Sequence, residues 1–238
     1  MTATPVDRPP SVWEDLLEVS FSPRAVFERR RESVAFGIAM VILTVLTAAV
    51  YFATRSGFDP VLDLMVKQQM GEILRKNPQM TAEQLSGAAG MMRGTTVAGM
   101  ILFPILMPLV AGLLLWVIGK FFESKADFGA AIMVATYSYV ARFLGFVVSS
   151  LLAVVLPEDQ LRSFFSISLS LARFLDPDTT SVGVLGAAAR VDIFILWQTG
   201  IIGIGMAVMG RIGTGRGMAI AFTVWALGFV MLIPALIG

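Results

Sequence analysis

Five stretches long and apolar enough to cross a bilayer leave this chain few ways to fold. A membrane-spanning helix needs about 20 mostly apolar residues to traverse roughly 30 Å of hydrocarbon. Segments near 34–54, 95–119, 129–156, 187–209 and 218–237 meet that length. Composition agrees, since 56% of the 238 residues are hydrophobic and 15% are charged, against about 25% charged in soluble domains. A soluble fold of this size could not hide so much apolar surface and still keep a solvated shell. The expected architecture is therefore all-α: one domain, a polytopic bundle of five transmembrane helices with helix packed on helix.

The sequence has no cysteine and no histidine. Disulfides, thiol nucleophiles and the usual zinc sites are thereby excluded, as is imidazole acid–base chemistry. A paired-aspartate protease would need two aspartates within the spans, and Asp192 stands alone there. The glycine-rich run 210–217 lacks both the Gly-Lys-Ser/Thr ending and the preceding strand of a phosphate-binding loop. It reads as a turn that sets Arg211 and Arg216 at the headgroups of anionic lipid. No enzyme, cofactor, metal or nucleic-acid partner is expected.

Residues 1–33 are expected to form a cytosolic arm. Its first residues, Asp7, Arg8, Pro9 and Pro10, lack the charged-then-apolar-then-small order of a cleaved signal, so the first span is expected to direct insertion. Trp13, Leu16 and Leu17 share one helical face, and Ser22-Pro23 opens a second short helix that leads to Arg29, Arg30 and Arg31. This predicts an amphipathic stretch lying on the membrane surface. A polar helical hairpin is expected outside the bilayer over 60–93, turning at Asn77-Pro78 and restarting at a Thr81–Gln84 capping box. Its methionines, Met65, Met70, Met80, Met91 and Met92, pack it onto the span ends. Residues 158–175 are short and serine-rich, which predicts a surface or re-entrant helix. Lysine and arginine divide almost evenly between the two sides. Those of the arm and the short connections lie closest to the spans, which places the N-terminus inside and the C-terminus outside.

Two ionisable residues within the spans stand out as candidates for function. Arg142 lies near the middle of the third span and Asp192 near the start of the fourth. An arginine centred in a span costs about 2.5–3.5 kcal/mol on insertion scales, so a carboxylate, carbonyl groups or a wet cleft must receive it. Counted from the expected span ends, Asp192 lies about 15 Å from Arg142 along the membrane normal, too far for a comfortable pair. Pro104 and Pro108 are expected to kink the second span. Gly200, Gly203 and Gly205 predict close helix packing along the fourth.

The order of motifs in the later spans carries a family resemblance. Asp192-Ile193-Phe194-Ile195-Leu196-Trp197, then Gly203-Ile204-Gly205-Met206-Ala207-Val208, then Trp225, is similar to the Yip (Ypt/Rab-interacting protein) family. Tyr137-Ser138-Tyr139-Val140 resembles its aromatic–small–aromatic stretch in span three, although Ala141-Arg142 departs from the proline often found nearby. The segment 21–27 is similar to the pre-span segment of prokaryotic members. The resemblance covers roughly 21–237 and implies a five-span bundle, a cytosolic N-terminus and association with itself or with relatives through the membrane. It also implies structurally important positions for Asp192 and Trp197. Eukaryotic members are linked to Rab-type GTPases and vesicle trafficking. This chain lacks their long cytosolic extension and Asp–Leu–Tyr-type motif, which makes a GTPase partner doubtful and suggests a prokaryotic inner-membrane protein. Two functions follow as expectations. One is a non-enzymatic scaffold or adaptor acting through protein–protein and lipid contacts. The other is a small transporter, channel or lipid-translocating protein using a mid-membrane site around Arg142. Tyr137, Tyr139, Asp192 and Trp197 join Arg142 as candidates for a functional or structural intramembrane polar site.

Overall fold

The computed structural model describes residues 11–230, which fold into helices and tight turns with one isolated antiparallel bridge. In chain order the helices are α1 (Val12–Glu18), α2 (Pro23–Arg29), α3 (Gly37–Lys76), α4 (Ala82–Phe121), α5 (Phe128–Val155), α6 (Val182–Arg190), α7 (Ile193–Gly210) and α8 (Thr214–Val230). Four of them, α3, α4, α5 and α7, are long and apolar enough to cross a membrane. The shorter α8 is apolar over its 17 described residues. The expected fifth span, 218–237, runs past residue 230 and out of the described residues, as do Asp7, Arg8, Pro9 and Pro10 of the arm.

The hairpin of 60–93 is not a separate element. α3 and α4 have 40 residues each, about 60 Å at 1.5 Å per residue, or about twice the hydrocarbon thickness. Each expected span and its hairpin arm are thus one continuous helix. The appearance of charge at Arg55 marks where lipid could end, but nothing there stops a helix. Even Pro60 only removes one donor from a turn already formed. What does stop the helix is the corner at 77–81. There the Thr81 hydroxyl accepts from Gln84 N at 3.3 Å and Thr81 N donates to the Gln84 side chain at 3.0 Å. An ion network just beyond the charge-free stretches ties the two long helices together. Arg93 of α4 reaches Asp59 at 2.9 Å and also Asp63. Asp59 in turn takes Arg55 at 3.0 Å and the Tyr51 hydroxyl at 3.1 Å.

α5 is the hub. Every residue from Ala130 to Ala141 is buried, and α3, α4 and α7 pack around it. Small residues let backbones approach at the crossings. A Cβ on Gly57 of α3 would lie 2.7 Å from the Ala153 carbonyl, and one on Gly112 of α4 would lie 2.7 Å from Ile132 Cα. Of the three glycines expected to pack, Gly205 faces Val134 and Phe27, and Gly203 meets α8 at Met218. Gly200 has open space in front of it. Ile38, Val41 and Val45 of α3, and Leu102, Leu106 and Val110 of α4, are exposed, the reverse of a soluble bundle.

The arm departs from the expected surface helix. It is two short helices whose inner side chains Leu16, Val19, Val26 and Phe27 join the same core as α5 and α7. The fully buried Asp15 explains the difference. Arg29 and Arg30 bind its carboxylate, and Arg29 also reaches Glu18 at 2.7 Å, so two of the three clustered arginines serve as internal partners. Arg24 ties α2 to the start of α8 through Thr214 at 3.1 Å. The segment 158–175 also differs from expectation. It holds three 3-10 turns, Glu158–Gln160, Phe164–Ile167 and Leu171–Phe174, in place of one helix. Its serines bond the local backbone instead, with Ser168 Oγ donating to the Phe165 carbonyl at 2.9 Å, and such bonds compete with regular helix.

Two outcomes test this packing. Gly217 of α8 lies against the Gly203 carbonyl and Ala207, so Gly217→Val is expected to cost about 1–3 kcal/mol by overpacking, read as a lower unfolding temperature in detergent. Gly200→Ala, in open space, is expected to be neutral or to stabilise by about 0.5–1 kcal/mol. The second outcome concerns Asp59. Burial pushes its carboxyl up, but hydrogen bonds from Arg55 and Tyr51 and the charge of Arg93 outweigh that and hold it below the ordinary value of 3.8. A depressed carboxyl contributes its stability above the unfolded-state value and loses it only as pH falls through the folded one. Hydrogen-exchange protection around Asp59 and Arg93, corrected for intrinsic rates, should therefore hold from neutral pH down to 3.8 and fall below it.

Candidate intramembrane polar site

The fourth span is broken at its N-terminal end. α6 stops at Arg190, and α7 restarts at Ile193 with Asp192 as its N-cap in extended conformation. The Asp192 Oδ1 accepts from Phe194 N at 2.8 Å and Ile195 N at 3.2 Å, which satisfies two of the amide donors that a helix start leaves open. The same residue forms the isolated bridge with Ser170, and Leu171 N donates to the Val191 carbonyl at 3.0 Å. The serine-rich segment is thus stitched across the head of α7.

This start corrects the expected depth. α7 has only 18 residues, so Asp192 lies about 27 Å along the bundle from the end at Gly210, while Arg142 lies about 21 Å from Phe128 at the same end, taking 1.5 Å per residue. The two differ by about 6 Å in depth, not about 15 Å. A Cβ on Gly145 of α5 would stand 3.0 Å from the Phe194 ring, which fixes α5 and α7 side by side one turn from Arg142.

Arg142, Asp192 and Tyr139 line one cavity of about 580 Å³. It lies among α3, α4, α5, the serine-rich segment and the head of α7. Aromatic rings form much of its wall, including Phe103, Phe146, Phe164 and Phe194, with hydroxyls of Thr96 and Ser149 between them. Tyr139 leans against Phe103 at a centroid distance of 6.3 Å. Among the described residues, Arg142 has no ion pair and no hydrogen bond, and Asp192 Oδ2 accepts none. The two charges therefore face one space without touching.

The other expected residues lie elsewhere. Tyr137 is on the opposite face of α5, fully buried and edge-on to Phe27 at 6.5 Å, its hydroxyl without a partner. Trp197 packs against the main core and lies 6.3 Å from the Phe194 ring. Pro104, Pro108 and Gly112 follow one another at four-residue spacing on the buried side of α4, and the helix continues through both prolines. The prolines interrupt no helix and do not face the cavity wall.

Sequence reasoning missed Arg190, which lies inside the expected span 187–209. Its guanidinium donates to the Trp225 carbonyl at 2.7 Å, and Trp225 Nε1 donates back to the Arg190 carbonyl at 3.2 Å. It also covers the Phe229 ring at 5.3 Å and fills the space where Gly228 has no side chain. Arg190 is a clasp between α6 and α8. The same reading missed Asp15, whose signal was a carboxylate fourteen residues before the paired arginines of the arm.

The capping role gives a clean expectation. Asp192→Ala should cost about 0.5–2 kcal/mol, whereas Asp192→Asn, an equally good cap, should stay within a few tenths. Thermal unfolding of the detergent-solubilised protein reads both, and equal losses would mean that the carboxylate charge matters more than the cap.

A family model described as the Yip1 domain matches residues 17–234, nearly the whole chain. No curated protein and no solved structure matches. The matched region takes in the arm from Leu17 onward, the hub helix α5, the Asp192 cap and the α7–α8 pair. With apolar helices throughout, the chain is an integral membrane protein and belongs to the Yip1 domain family.

Proposed function

We propose that this chain is a non-enzymatic scaffold or adaptor of the cytoplasmic membrane. In this proposal it crosses the bilayer five times, with its N-terminus in the cytosol and its C-terminus outside. It associates with itself or with other membrane proteins. The observation that carries the reading is the arm. α1 and α2 are fixed into the bundle through Asp15 and Phe27, yet Trp13, Leu17 and Phe21 point outward, 46%, 57% and 84% exposed. Three large apolar side chains held out on a firmly anchored element make a recognition surface. Arg31, Lys125 and Arg211 are exposed at the same end, where they suit anionic lipid. The fifth crossing rests on α8, about 26 Å long over its described residues, with an apolar sequence continuing to Ile237.

A second reading, a small transporter or lipid-translocating protein, is favoured by one observation: an unpaired arginine at mid-span facing a cavity. Flux separates the two. Reconstituted into liposomes, the protein is expected to pass ions, solutes and labelled lipid no faster than protein-free vesicles do. Native mass spectrometry is expected to show an oligomer or co-purified membrane protein that is lost on Phe21→Ser. Robust flux abolished by Arg142→Ala would replace the scaffold reading by the second. An alkaline phosphatase fusion to the C-terminus should be active, and an inactive one would reverse the orientation.

A further inference from the structure

We infer that the Arg142 cavity is a binding site for a zwitterionic amphiphile, whose anionic group meets Arg142 and whose ammonium group meets Asp192. The inference rests on the cavity alone and requires neither scaffold activity nor flux.

Charge is the first ground. An arginine facing a space within the bilayer is costly unless something receives it, and among the described residues nothing does. Its guanidinium offers five donors in a planar fork suited to a phosphate or carboxylate. Asp192 is the obvious protein partner, but Oδ1 is committed to the α7 cap and the two residues are about 6 Å apart in depth. The two side chains line one cavity without forming an ion pair, and a headgroup between them would touch both. Oδ2 is left as an acceptor on the same space.

The arrangement also discriminates between classes of ligand. A purely anionic headgroup on Arg142 would face the Asp192 carboxylate. A purely cationic one would face Arg142 and, close behind it, Arg190, whose charge also acts on this region. A neutral amphiphile would leave both charges unanswered in a low-dielectric setting. Only a headgroup carrying both signs answers both.

Shape argues for an amphiphile over a soluble zwitterion. A cavity of about 580 Å³ falls within the usual range of small-molecule sites, about 300–1,000 Å³, and its walls are largely aromatic. Two of its lining residues, Phe103 and Phe164, are also exposed, at 36% and 40%. Phe103 adjoins the outward apolar strip of Leu102 and Leu106 on α4. An acyl chain leaving the cavity there would lie along that strip.

The test uses the full chain in mild detergent, with binding read by native mass spectrometry and by thermal shift. The probes are a single-chain phosphoethanolamine lipid, a single-chain phosphoglycerol lipid, a monoacylglycerol, an alkylammonium and free phosphoethanolamine. The zwitterionic lipid is expected to bind best. Arg142→Gln should weaken it about tenfold or more, the loss of a charge-assisted contact. Asp192→Asn keeps the helix cap and should reverse the order of the zwitterionic and anionic lipids. That reversal is a signature that misfolding cannot produce. Equal binding of all the lipids with no effect of either variant would overturn the proposal, as would preference for the anionic lipid in the unmodified protein. Free phosphoethanolamine binding as tightly as its lipid would overturn the amphiphile and point to a soluble zwitterion. Loss of flux or of oligomers leaves these binding results unchanged, so failure here is distinct from failure of the scaffold reading.

Discussion

Everything in this bundle is arranged around α5. In lipid there is no hydrophobic force drawing one apolar helix to another, so association depends on close packing and on polar contacts. α5 meets that demand with small side chains: Ala130, Ala131, Ala135, Ser138 and Ala141 are all buried in its inner half. The neighbours answer with glycines of their own, Gly57 from α3, Gly112 from α4 and Gly205 from α7, each against α5 backbone or side chain. The arm uses the same device, since Phe27 enters where Gly205 leaves room. A hub packed this way leaves little tolerance for a larger residue, and its outward-facing partners can stay leucine- and valine-rich because their solvent is hydrocarbon.

Polar chemistry fills in where packing stops. At one end, Asp15 with Arg29 and Arg30 holds the arm. Beyond the charge-free stretches, Arg93 with Asp59 and Asp63 holds the two long helices. Between them, Arg190 and Trp225 exchange backbone and side-chain bonds that fasten α8. The first two networks pair opposite charges, and Arg190 has a carbonyl and a ring as partners with its Nε unmatched, whereas Arg142 has none of these. The contrast gives Arg142 its interest, because Arg29, Arg30, Arg93 and Arg190 each have a protein partner.

The sequence made the helical class, four of the long apolar helices and the family legible, because hydropathy and motif order are local properties. It misplaced helix ends where hydropathy and helix-stop signals part company. Charge begins at Arg55, but no cap or breaker stops α3 before Asn77. Conversely, the run 187–209 is apolar nearly throughout, but Asp192 is a far better cap than an interior residue and cuts it in two. The serine segment misled for a related reason: helical spacing of Leu161, Phe164 and Phe165 is outweighed by hydroxyls that bond their own turns. At the site, both charges were found by composition alone. Their approach in depth was not, because it follows from where α7 begins, and Tyr137 was wrongly grouped with them although two residues along a helix turn it to the opposite face.

The unanswered charge also bears on how a family of small membrane bundles can acquire a ligand without reacting groups. A helix interrupted near the end of its span supplies a cap residue whose second oxygen is spare, as at Asp192. A hub helix supplies an arginine one turn from a fixed crossing, as Arg142 is from Gly145. Neither feature alone makes a site, since a capped helix start is ordinary and a lone arginine can snorkel. Their shared cavity is the consequential part. Closed on each other, they would form a buried ion pair whose attraction roughly repays its desolvation. Lining one cavity unpaired, they present the opposite charges and apolar walls on which the proposed zwitterionic amphiphile rests.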